Sequence, residues 1–171
     1  MAVVTTKSSA ITNRDATPRV LTNARIQGDG IAHARGVVTA VAGDSVNSVY
    51  IFCTVPSNAM IVSARISNAA QGGTSTMDLG VRETTQNGGG NISGATTPTQ
   101  FFKAGSAVSG AQSKVEVSQG NVATVATAEQ PLWQALGLTA DPQRDYDVIG
   151  TVQTAAITNG GAIEMELDFT Q

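Results

Sequence analysis

Hydrophobic and polar residues alternate one for one near the end of the chain. Ile163, Met165, Leu167 and Phe169 take one parity, and Glu164, Glu166 and Asp168 take the other. Successive side chains of a strand point to opposite faces, so this pattern predicts a half-buried strand over 162–169 with an acidic outer face. The same period of two sets Met60, Val62, Ala64 and Ile66 against Ser63, Arg65 and Ser67, and Met77, Leu79 and Val81 against Asp78, Gly80 and Arg82. Further strands are predicted over 37–42, ending at Gly43-Asp44, and over 48–55, closed by Pro56-Ser57-Asn58. Three more are expected around Val115 and Val117, over 121–128 and over 145–157. Gln71-Gly72-Gly73 reads as a turn, residues 87–91 as a loop tip, and Thr158-Asn159-Gly160-Gly161 as a hairpin turn between the two closing strands. Residues 95–110 show no period, and Phe101-Phe102 reads as a buried anchor within them.

One short helix is predicted near 129–136. Pro131 stands early, where its missing N–H is harmless, Gly137 follows the end, and Leu132, Trp133 and Leu136 can share a face. Seven or eight short strands with one short helix predict an all-β fold, an antiparallel β-sandwich or jelly roll. The chain shows no 20–50-residue repeat, which argues against a solenoid or propeller. Residues 1–20, rich in Thr, Ser and Ala, have no period and read as an extended arm. The expected organisation is an N-terminal arm over 1–35 and a jelly-roll domain over 36–171.

Composition sharpens this picture. Among 171 residues only 13% are charged and 4% aromatic. So sparse a charge suits a surface that neighbours cover, because burying charge is costly. Residues 1–35 carry Lys7, Arg14, Arg19, Arg25 and Arg35 against Asp15 and Asp29, five minus two or +3. The rest of the chain must then carry −6 to reach the total of −3. A basic arm is thus joined to an acidic body. The N-terminus has no basic-then-apolar signal pattern and no apolar run approaches a membrane span, so synthesis in a cytoplasm without membrane insertion is expected.

Candidate chemistry is thin. His33 is the sole histidine and has no Gly-x-Ser-x-Gly elbow to serve, so it reads as a surface or interface residue. Cys53, also alone, sits in the apolar run 49–53 and reads as a buried inert thiol. One His and one Cys cannot build a zinc site of the usual kind. Asp141, Asp145 and Asp147 could offer oxygen ligands to calcium, but their spacing departs from an EF-hand loop and Arg144 opposes a cation. Gly28-Asp29-Gly30 and the glycines at 88–90 lack the strand–helix context of a nucleotide loop and read as turns. Glu164, Glu166 and Asp168 could pair as a glycosidase acid and base, but they read better as a solvated or partner-facing strand face. No basic stripe with interleaved aromatics supports nucleic-acid binding. The expectation is a protein without catalytic residues, metal or cofactor.

The stretch Ala128 to Leu138 (AEQPLWQALGL), followed by Asp141-Pro142 and then by Asp145-Tyr146-Asp147-Val148 entering a Thr-rich strand, resembles a pattern of tailed-bacteriophage head decoration or cement proteins. Gly73 to Gly80 (GTSTMDLG) resembles the same family's central strand. The likeness is loose over 36–171 and more specific over 128–168; the long N-terminal segment departs from it. It implies a jelly-roll protein on the capsid exterior of a virion, made in the host cytoplasm, that cements adjacent major capsid subunits. A homo-oligomer, dimer or trimer, would fit a site on a symmetry axis. The arm's Arg14, Arg19, Arg25 and Arg35 would then supply charge-assisted contacts to capsid carboxylates, an inference from the arm itself. The alternative reading is a tail-fibre or receptor-binding β module that holds a glycan through Trp133 or Tyr146.

Overall fold

A computed structural model describes residues 16–18, 20, 30–118, 127 and 129–171. Eight strands run in chain order: β1 (Ala32–Ala40), β2 (Val49–Pro56), β3 (Met60–Asn68), β4 (Thr76–Glu83), β5 (Lys103–Ala107), β6 (Gln112–Glu116), β7 (Asp145–Gln153) and β8 (Gly161–Thr170). They form two four-stranded antiparallel sheets, β1-β8-β3-β6 and β2-β7-β4-β5. Consecutive strands change sheet at every connection except β4–β5, which wraps the chain as a jelly roll. The predicted all-β sandwich is the observed fold.

Alternation built these elements as expected. Ile163, Met165, Leu167 and Phe169 of β8 face the core, where they meet Ala64 and Ile66 of β3 and, from the other sheet, Met77, Leu79 and Val81 of β4. The single α-helix among the described residues, α1 (Leu132–Ala135), closes one end. Its Leu132 and Trp133 amides donate to the carbonyls of Ala59 and Ser57, at 2.7 and 2.9 Å, and Gly137 leaves the helix at φ +82°. Phe101 and Phe102 are the buried anchor foreseen for 95–110, packed edge to face at 5.1 Å. Just before them, a 3-10 turn over Pro98–Gln100 crosses the outside of β4. Gly80 permits that crossing, because a Cβ there would meet the Pro98 carbonyl oxygen at 2.2 Å.

Several expectations are corrected. The loop at 158–161 is not a hairpin turn, since β7 and β8 lie in different sheets. Gly160 and Gly161 take positive φ, but each strand already has two hydrogen-bonded neighbours, and the loop instead crosses between sheets. The Thr158 and Asn159 amides fasten it to the Gln71 carbonyl, each at 3.0 Å. Val62 does not share the inward face of β3. The β3–β8 register shifts between Ile61 and Ser63, and this irregularity turns Val62 outward. The first strand starts at Ala32, within the expected arm, because His33 and Arg35 find acidic partners directly across β8. The strand expected at 121–128 lies outside the described residues, Thr127 excepted.

Candidate functional site

The outer face of the β1-β8-β3-β6 sheet holds an ordered set of charges. The registers place Arg35, Glu166, Arg65 and Glu116 side by side, so that the sign alternates from strand to strand. Arg35 is ion-paired with Glu164, with Glu166 at 3.8 Å, and Lys114 lies 3.5 Å from Glu166. In the neighbouring row, Asp168 has His33 Nδ1 at 2.8 Å, accepts from the Ser63 hydroxyl at 2.8 Å and is ion-paired with Arg65. Burial pulls the Glu116 carboxyl up, but hydrogen bonds from Ser118 and from the Ala64 amide, helped by Arg65, outweigh it and leave the carboxyl lowered. The acidic ladder of β8 is therefore largely tied up by its own sheet. Opposite charges across neighbouring strands stabilise a sheet modestly.

Of the arm arginines, Arg14, Arg19 and Arg25 lie outside the described residues. Arg35 stands on β1, half-exposed, with its guanidinium held charged by the hydrogen bond and the charge of Glu164. The carboxylates at 141–147 are engaged in local structure. Asp141 accepts from the Ser57 hydroxyl at 2.5 Å and from the Gln143 amide at 2.9 Å, while Asp147 accepts from Thr54 at 3.2 Å. Among the described residues, no three His, Cys, Asp or Glu side chains gather as a cation site. An open, polar cleft of about 520 Å³ runs past Thr54, Thr84, Thr85, Asp145 and Asp147. A smaller one of about 380 Å³ lies beside Ser57, Asp141 and Arg144.

Of the two aromatics considered for glycan stacking, Tyr146 offers no open face. Tyr146 is 0% exposed, its phenol pushed up to about 12 by desolvation and then by Glu83, and Trp133 is only half-exposed. Cys53 is half-buried, and desolvation, aided by Asp147, pushes its thiol up to about 12, so it is protonated and unreactive near neutral pH. Asp44 closes the β1–β2 turn, accepting from the Tyr50 hydroxyl at 2.5 Å and from the Val41 amide at 2.9 Å. Of the glycine motifs, Gly88 and Gly89 take positive φ in a turn after a 3-10 segment, while Gly28 and Asp29 lie outside the described residues.

No family model matches this chain, and no curated protein does either. Among solved structures, it is similar to a chain described as "Cyanophage Pam1 capsid asymmetric unit", at 13% identity and a TM-score of 0.42, over 89% of this chain and 92% of that one. A likeness that slight assigns neither family nor function.

The sequence reading missed a set of large aliphatic side chains left in the open. Ile31 is 65% exposed, Val37 56% and Val41 62%, along and beside β1; Val49 is 41% and Ile51 40% exposed on β2. The signal was present in part. Val37, Thr39 and Val41 share the parity of Arg35, which a strand starting at Ala32 sends outward.

Proposed function

We propose that this chain is a structural, non-enzymatic protein of a tailed-phage virion, which binds the outer capsid surface and cements adjacent major capsid subunits. The observation that carries the reading is the set of aliphatic side chains standing exposed along β1 and β2, flanked by a polar face whose charges are already paired. Exposed apolar surface rimmed by polar groups marks an adhesive surface more than a reactive one. The Ala128–Leu138 pattern and the entry into β7 support the assignment to phage cement proteins. Cementing needs no chemistry: each interface of standard size that bridges two subunits stabilises the shell against internal pressure without altering its fold. The basic arm then extends along the acidic groups of a further subunit, its arginines making charge-assisted contacts.

Two experiments test this. Purified protein mixed with shells that lack it should sediment with them, and failure to do so overturns the reading. Deleting residues 1–20 should lower shell occupancy and the heat resistance of filled heads; unchanged values would remove the arm from the mechanism while leaving the docked body in place.

A further inference from the structure

Each sheet ends in two edge strands, and three of the four carry features that keep further strands away. β2 is irregular at Phe52 and ends on Pro56. β5 has five residues and bends at Gly105, which takes φ +60°. β6 also has five residues, with Lys114 at φ +50°. Shortness, bulges and proline all blunt an edge. β1 has none of them: it runs nine residues without proline, without positive φ and without any shift in its pairing with β8. Among the described residues no strand pairs with its other edge, which leaves alternate N–H and C=O groups along it without a strand partner, while β2 packs at the inward side of Gly36 through the Phe52 backbone.

We propose that β1 is a self-association edge, to which β1 of a second copy adds antiparallel about a two-fold axis at Gly36. The four-stranded sheets of two copies would then continue into one another. This register pairs all nine residues of β1 with their counterparts. On the outer face Arg35 meets Val37 of the second copy, His33 meets Thr39, and just beyond the strand Ile31 meets Val41, so the exposed aliphatic ends cover each other. On the inner face Ala32 meets Ala40 and Ala34 meets Val38, of which Ala32, Ala34 and Val38 are incompletely buried in one copy. No like charges oppose, and Arg35 enters the pairing already matched by Glu164 of its own chain. Moving the axis to Arg35 would set two arginines face to face, which is unfavourable. A two-fold axis makes the contact self-limiting, so the pairing stops at a dimer. The inference rests on edge geometry alone and stands or falls separately from the capsid reading.

Sedimentation of the full chain tests it. Wild type should be a dimer at high micromolar concentration. Val37→Lys places a lysine opposite Arg35 of the second copy twice per dimer and should raise the dissociation constant roughly tenfold. Circular dichroism of the same samples would show the monomer still folded. The register is read separately in a Cys53→Ser background: His33→Cys and Thr39→Cys chains should form an interchain disulfide when mixed and none when alone. A monomeric wild type, a trimer, or a dimer that ignores Val37→Lys and does not cross-link would each overturn the proposal. A wild type that stays monomeric yet captures an extended peptide would assign the edge to a different protein.

Discussion

Asp168 receives His33 from β1 on one side and Ser63 and Arg65 from β3 on the other. The His33 hydrogen bond first and the Ser63 bond next, with Arg65 adding its charge, hold this carboxyl below the usual carboxylate range against a smaller effect of desolvation. A depressed folded-state value stabilises the fold above the unfolded value of about pH 4, and that stabilisation disappears as pH falls through the folded value. Wild type should therefore lose thermal stability below about pH 4 more steeply than Asp168→Asn, when melting midpoints are followed from neutral to acid pH. At neutral pH the variant should be weaker by less than about 1 kcal/mol, as befits a pair near solvent. Alternation placed Asp168 on the outer face, but not its partners. His33 and Ser63 lie 135 and 105 residues away in the chain, and no local pattern reports pairing at that range.

Strands were readable wherever one face is buried and the other wet, as in β8 and most of β3. Reading failed where a different constraint governs. β4 is buried on both faces near Gly80, because the 3-10 turn at Pro98–Gln100 lies across it. Gly160 and Gly161 take the positive φ that a hairpin turn would use, yet strand partners are chosen by whole sheets, and β7 and β8 each join a different one. The start of β1 was hidden because alanine, not a large apolar residue, fills its inward positions at 32 and 34. Gly80 offers a test at this scale. In Gly80→Ala the new methyl would press on the backbone of Pro98 and Thr99, neither of which is a flexible side-chain end. Chemical denaturation should show a loss of about 1–3 kcal/mol, the usual effect of overpacking.

For the molecule as a whole, the sheets join the first and last described strands: β1 pairs with β8, and β8 separates β1 from β3. Closing so long a loop precedes any gain from the pairing, so folding should be slow. Refolding followed by Trp133 fluorescence in stopped flow should relax over about milliseconds to seconds, and a microsecond phase carrying the full amplitude would contradict this topology. The β-sandwich was available from the sequence, whereas the exposed aliphatic groups of β1 and β2 emerged only once strand parity was fixed in space. The charged row across β1, β8, β3 and β6 has a kinetic consequence. Its strands carry Arg35, Arg65 and Lys114 against Glu116, Glu164, Glu166 and Asp168, interleaved at close range. Signs mixed so finely largely cancel at close range, three positive against four negative leaving only −1, so the face projects a weak field into solution. A large assembly approaching this face would feel little pull, and capture through it would proceed near the unsteered rate of about 10⁵–10⁶ M⁻¹s⁻¹, with only a weak dependence on ionic strength.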